Sequence, residues 1–315
     1  MYVLREIIKY KRVLGVAILV VFLWYVDLGK MTDALRGMTF VYLLAIVPLF
    51  FLLIMIKTLR WQQILGSDEI ALPFKPLYGA YLTSVCVGAV TPGRLGEVIK
   101  YRYVRNNGIG VRVSFCSAVS DRLWDVLFLV VIGMIGLGFV GRTVVKLDLK
   151  YELAILGIPL LVTIFLVFKR TLTGLFLKLA AMPLSAKYRE LMQSEGEKFM
   201  DQIFESNRRR FWRLTSITII SWFVYFFQSY LVAASFGFPL SFLQVATVVT
   251  FSSIASLLPI TYLGIGTRDT VFVLILKPWG LSNEQALAFS LAMLATFGIG
   301  VCISAILMSI YPVDF

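Results

Sequence analysis

Thr91-Pro92-Gly93-Arg94-Leu95-Gly96-Glu97 is the stretch that decides how this chain is read, because it sets helix breakers and a charged pair directly behind the apolar run 77–90. A run of that length cannot cross a hydrocarbon core of roughly 30 Å, which takes about 20 helical residues. It is therefore expected to enter the membrane and break there as a re-entrant segment, with its irregular backbone buried in protein or lining a cavity. A second break of the same kind follows the apolar run 242–257: Leu258-Pro259-Ile260-Thr261-Tyr262-Leu263-Gly264-Ile265-Gly266-Thr267-Arg268-Asp269. The chain reads as organised around this pair.

Working outward, 59 % of the 315 residues are hydrophobic and 15 % charged, with the apolar residues in long blocks. That is the composition of a polytopic membrane protein. The net charge of +12 would suggest nucleic acid in a soluble protein, but here the basic residues sit between apolar blocks, as the positive-inside bias requires. Nucleic acid is excluded as a partner on this ground. Histidine is absent, and Cys86, Cys116 and Cys302 stand singly inside apolar segments. No metal-ligand spacing, disulfide framework or cofactor site follows from them, and they are read as packing residues.

Long spans are expected at 13–26, 39–56, 113–140, 153–168, 215–235 and 285–310. The first follows Arg5, Lys9, Lys11 and Arg12 and ends in Trp24 and Tyr25, which suit an uncleaved span with an aromatic anchor better than a signal peptide. Lys57, Arg60 and Trp61 are read as closing the second span at an interface. The segment 169–214, with apolar residues at helical spacing and the cluster Arg208, Arg209, Arg210, Trp212 and Arg213, reads as an amphipathic cytoplasmic connection on the membrane surface.

Counting basic residues decides the topology. With both short runs re-entrant and a cytoplasmic N-terminus, the inside connections carry 22 basic residues and the outside connections seven. If both runs crossed, the groups at 94–112 and 169–214 would move outside, against the bias. The expected fold is an all-α integral membrane protein of about six spanning helices plus two re-entrant broken segments, forming a single membrane domain 1–315. Its halves, 1–141 and 151–315, each hold three spans and one re-entrant run, so the second enters upside down as an inverted-topology repeat.

Three groups of residues carry candidate chemistry. Thr91 can cap a short helix with Pro92 at its first position, and Thr267 can cap a matching one through Arg268 and Asp269, which would point two N-termini at an anion near the midplane. Arg94 and Glu97, three apart, either pair with each other or line a site. Asp121, Arg122 and Asp125 lie inside the long span, Arg122 roughly 13 Å deep at 1.5 Å per residue. Each costs on the order of 2.5 to 3.5 kcal/mol there, so all three should face protein or a wet cavity. They form either an ion-pair cluster tying helices together or a polar path in which an aspartate holds Arg122 against a headgroup. Gly133, Gly136, Gly138 and Gly141 are read as close-packing positions.

Pro92 through Glu97, then Ser120-Asp121-Arg122 with Asp125, then Leu258-Pro259 through Gly264, Gly266, Thr267, Arg268 and Asp269 resemble the signature blocks of the lysylphosphatidylglycerol synthase transmembrane family. This is the membrane domain of multiple peptide resistance factors and of standalone relatives. The resemblance covers nearly the whole chain in order. It implies an inverted-repeat fold that moves a lipid between leaflets of the cell membrane, with Glu97, Arg122, Arg268 and Asp269 lining the cavity. The chain departs from the family pattern at the late block, which ends in Asp269, and in the last span, which holds no charge mirroring Arg122. A soluble aminoacyl-transfer domain is missing from these residues, so synthesis of the aminoacylated lipid is not expected.

The expected function is translocation of an anionic-headgroup lipid, a phospholipid or a polyprenyl-phosphate glycolipid, with the site at Thr91, Pro92, Gly93, Arg94, Gly96, Glu97, Asp121, Arg122, Asp125, Pro259, Gly264, Gly266, Thr267, Arg268 and Asp269. No Gly-x-x-x-x-Gly-Lys-[Ser/Thr] phosphate loop is present to drive it. A lipid-synthesising enzyme and a second copy of the chain are the expected protein partners. A membrane-embedded lipid-modifying transferase and a scaffold for a partner enzyme stay open as alternatives. The transferase has no histidine, Gly-x-Ser-x-Gly motif or metal cluster in its favour.

Overall fold

A computed structural model describes residues 36–39, 41–66, 72–140, 210–257 and 264–310. The expected spans at 13–26 and 153–168, residues 169–209 of the connection, Pro259 and Gly141 lie outside the described residues. Among the described residues, four helices are long and apolar enough to cross a membrane: α1 (Val41–Leu65), α4 (Val111–Val140), α5 (Phe211–Ser235) and α8 (Asn283–Ile310). Between them stand two 16-residue helices, α2 (Phe74–Ala89) and α6 (Phe242–Leu257), each only about 24 Å long. A kinked 3-10 stretch (Pro92–Lys100) and α3 (Tyr101–Asn106) follow α2, while α7 (Thr267–Leu276) and a 3-10 turn (Lys277–Trp279) follow the second break.

α1 and α5 lie side by side and run in opposite directions. Near one end, Arg210 donates to the Gln63 carbonyl (2.6 Å) and Arg213 to the Gln63 side chain (3.0 Å). Further along, Arg60 donates to Thr218 and the Gln228 amide to the Ile46 carbonyl. At the far end the Thr39 N–H meets the Ser235 carbonyl (3.1 Å). Arg210 and Arg213, part of the basic cluster in the expected membrane-surface connection, thus tie two helix ends together.

Lipid tails are as apolar as leucine, so helices in a bilayer associate through close packing and polar contacts more than through apolar burial. The glycines supply the close approach. A Cβ at Gly133 would stand 2.9 Å from Ile254 Cδ1, and one at Gly136 would stand 3.3 Å from both Phe251 and Thr247, so α4 lies directly on α6. Gly300 does the same for α8, where a Cβ would come within 2.7 Å of the Phe50 ring on α1. α8 also packs on α2, α5 and α7. Of its most apolar stretch 61 % is buried against 28 % for α1, which makes α8 the inner helix of the two.

α1 continues through Lys57, Arg60 and Trp61, past the interface expected near residue 56. Arg60 and Trp61 are fully buried. The helix does not have to stop there because another helix supplies the counter-charges.

Candidate functional site

The first break is built by Thr91. Its backbone is extended at the N-cap position, its hydroxyl accepts the Gly96 N–H (2.8 Å), and the same hydroxyl donates back to the Val87 carbonyl (3.1 Å). Gly93 (φ 59°) and Arg94 (φ 56°) are both left-handed, and Arg94 is the one non-glycine residue with positive φ among those described. The regular helix expected from Thr91 and Pro92 is therefore not formed; two short 3-10 pieces meet at a kink. Its first donors are partly used internally, since the Arg94 N–H bonds the Thr91 carbonyl (3.2 Å). Folding back this way lays the break along α2. A Cβ at Gly96 would lie 2.7 Å from the Val87 carbonyl oxygen, and one at Gly88 would lie 2.3 Å from Glu97 Cγ. Glu97 occupies the space that Gly88 leaves empty.

Asp121 and Asp125, one turn apart on α4, share a face. Arg60 spans them, with Nε on Asp121 Oδ1 (2.8 Å), Nη1 on Asp125 Oδ1 (2.9 Å) and Nη2 on the Asp121 carbonyl (2.9 Å). Lys100 and the Tyr81 hydroxyl (2.7 Å) complete Asp121. Lys57 (2.9 Å) and the Trp222 indole N–H (3.1 Å) complete Asp125. Lys100 also sits over the Tyr81 ring at 3.9 Å, and Lys57 over Trp222 at 5.3 Å. The two carboxylates thus fasten α1, α2, α4, α5 and the end of the break to one another.

Arg122, one residue from Asp121, points about 100° around the helix and takes no part in that cluster. It pairs with Glu97. Of the alternatives left open by the sequence, Asp121 and Asp125 form the ion-pair cluster that ties helices together, and among the described residues Glu97 pairs with Arg122 rather than with Arg94. Arg94 lies over the Phe297 ring at 4.7 Å and has no ion pair among the described residues.

Arg94, Glu97 and Arg122 line a narrow cleft that is open at its mouth. Lys57, Tyr225 and Gln228 add polar groups, while Phe50, Leu53 and Phe297 give it apolar walls. Among the described residues, five basic side chains (Lys57, Arg60, Arg94, Lys100, Arg122) face three acidic ones (Glu97, Asp121, Asp125) in and directly behind it, an excess of two positive charges. Lys57, Arg60, Lys100 and Tyr81 had no place among the sequence candidates. Their one local signal is that Lys57 and Arg60, three apart, match in spacing two aspartates four apart on a later helix.

The second break is arranged differently. Gly266, not Thr267, is the N-cap of α7, and the Asp269 carboxylate accepts its N–H (2.9 Å). Gly264 and Gly266 have φ of 73° and 86°, and a Cβ at Gly264 would strike Ser256 Oγ at 2.4 Å. Thr267 donates to the Gly264 carbonyl (3.2 Å). Arg268 is turned onto α8, donating to the Ser290 hydroxyl and carbonyl (both 3.0 Å), and Ser290 donates to Asp269 (2.6 Å). Arg268 and Asp269 are thus brought to each other and to Ser290; neither lines the cleft that holds Arg94, Glu97 and Arg122.

Comparison with known proteins agrees with this membrane architecture. The chain is 24 % identical over 309 residues to a UPF0104 membrane protein of Pyrococcus horikoshii, covering 90 % of each chain. It is 23 % identical over 301 residues to a UPF0104 membrane protein of Methanothermobacter thermautotrophicus, covering 88 % of this chain and 87 % of the relative. No solved structure matches. The family described as the lysylphosphatidylglycerol synthase TM region matches residues 12–304, nearly the whole chain, and the protein belongs to that family.

Proposed function

We propose that this protein moves a lipid with an anionic headgroup between the leaflets of the cell membrane, the headgroup passing through the cleft while the tails stay in the bilayer. The observation that carries this reading is the excess of two positive charges among the described side chains in and behind the cleft, on helices long and apolar enough to cross a membrane, with Arg94 free of any carboxylate among the described residues. Uncompensated charge is costly in the bilayer, and a site that retains it is matched to an anion. Apolar walls on the same cleft suit a ligand with tails. Family membership supports lipid as the cargo class.

The fold reading that goes with it is an inverted-topology repeat with two re-entrant segments and a cytoplasmic N-terminus. Among the described residues the order long helix, 16-residue helix, glycine break, long helix occurs twice, and the corresponding long helices α1 and α5 run antiparallel. Cross-contacts are paired too: α2 packs on α8 as α6 packs on α4. Removing Lys57, Arg60, Arg94, Lys100 and Arg268 from the charge count, because they are structural or lie at the breaks, leaves eighteen inside against six outside. The bias survives.

The test is a leaflet-accessibility assay on purified protein in liposomes, with dithionite quenching of fluorescent phosphatidylglycerol, phosphatidylethanolamine and a polyprenyl phosphate. Quenching should exceed the outer-leaflet share for a phosphate-bearing anionic lipid and fall back to it for Arg122→Ala that remains monodisperse. Full activity in that variant would sink the site assignment; equal quenching with empty liposomes would sink translocation of these lipids.

A further inference from the structure

We infer that Glu97 is a built-in competitor for the headgroup, occupying the place on Arg122 that a phosphate ester takes when cargo binds, and that Gly88 holds it there. The inference rests on the translocation reading and names the event inside its cleft.

Three observations lead to it. Glu97 is the acidic partner of Arg122, yet Arg122 Nε and Nη2 are both buried with no hydrogen-bond partner among the described residues. A guanidinium presents Nε and Nη as a fork matched to two oxygens of a carboxylate or phosphate. Glu97 lies beside that fork without satisfying it. Second, Arg122 has its side chain 21 % exposed toward the cleft, whereas Asp121 and Asp125, one and three residues away, are engaged by Arg60, Lys57 and Lys100 on another side of the helix. A ligand reaching Arg122 meets Glu97 first and disturbs no other ion pair. Third, the pose of Glu97 depends on a missing methyl group, since a Cβ at Gly88 would fall 2.3 Å from Glu97 Cγ and 3.2 Å from its Oε1.

A phosphate diester that satisfies both Nε and Nη2 and lies beside Arg94 gives the guanidinium the two hydrogen bonds that Glu97 does not supply. Glu97 swings off, and returns when the cargo leaves. A competitor of this kind weakens binding and speeds release, so a site that would otherwise hold an anion tightly becomes one that passes it on.

Isothermal titration calorimetry on the purified full chain tests this with dihexanoyl phosphatidylglycerol, sn-glycerol 3-phosphate and dihexanoylglycerol as probes. Glu97→Gln should bind dihexanoyl phosphatidylglycerol about tenfold more tightly than wild type, the worth of one charge-assisted hydrogen bond. Gly88→Ala should tighten it in the same direction with Glu97 intact, because the methyl group evicts the carboxylate. The double variant should gain less than the sum of the two, since both remove one competitor. A tightening shared with glycerol 3-phosphate identifies the phosphate itself as what Arg122 selects, and one confined to the lipid probe identifies the whole headgroup with its tails; dihexanoylglycerol should show none. Binding no tighter than wild type in both single variants overturns the inference. The liposome assay run alongside separates it from the translocation reading: transport by wild type without tightening in the variants leaves transport standing and removes the competitor, and tightening without transport does the reverse.

Discussion

At the scale of single residues, Arg60 is the group on which the buried cluster depends. Its guanidinium satisfies two carboxylates, one carbonyl and one hydroxyl on two helices, and both it and Asp121 are wholly buried. Removing one partner from a buried ion pair leaves uncompensated charge and costs about 3 to 5 kcal/mol. Arg60→Ala should therefore lower stability by roughly 3 kcal/mol or more, read as a fall in the detergent-solubilised melting temperature, with Arg60→Lys intermediate because it keeps the charge but loses the fork. An unchanged melting temperature for Arg60→Ala would remove Arg60 from this role. Half of this arrangement was legible in the sequence. Asp121, Arg122 and Asp125 stood out because charge inside a long apolar span needs a reason. Their partners did not, since Arg60 lies 61 residues before Asp121 and no local pattern encodes that distance. Arg60 also mimicked an interface residue, ending an apolar run beside a lysine and a tryptophan.

At the scale of elements, the hydrophobic blocks gave the helices closely: α6 occupies the expected 242–257, and α4 begins two residues before the expected start. The breaks were legible as breaks from their glycines and prolines, but not in their internal geometry. The side-chain bond from Thr91 to the Gly96 N–H and the left-handed pair Gly93–Arg94 depend on how the segment lies against α2. That contact is testable at Gly96. A methyl group there meets the Val87 carbonyl oxygen, which cannot rotate away, so Gly96→Ala should push the break off α2 at a cost of about 1 to 3 kcal/mol. It should also carry Glu97 out of register and reduce lipid translocation. Gly110→Ala, which meets nothing within 4 Å, is the control and should stay within about 0.5 kcal/mol of wild type. Equal melting temperatures for the two variants would mean that the break does not rest on α2 as described.

For the whole molecule, an inverted repeat makes a prediction that neither residues nor elements make alone. Asn107 and Ser282 are exposed, each just ahead of a long helix, α4 and α8, and the proposed repeat puts them at corresponding positions. In a background lacking Cys86, Cys116 and Cys302, Asn107→Cys should react with a membrane-impermeant maleimide only from the cytoplasmic side and Ser282→Cys only from the outside. Labelling of both from one side would exclude the inverted arrangement. The two breaks, however, are not copies. Arg268 is fastened to Ser290 at an ordinary helix start, whereas Arg94 is held over an aromatic ring by a backbone turned the wrong way for an L-residue, a conformation worth roughly 1 to 2 kcal/mol of penalty. Selection for heat resistance alone would replace Arg94 with glycine, which relaxes that turn at no steric cost. An arginine there trades robustness of the turn for a cation at the cleft where glycine would hold none, so heat resistance and charge at this one position pull in opposite directions.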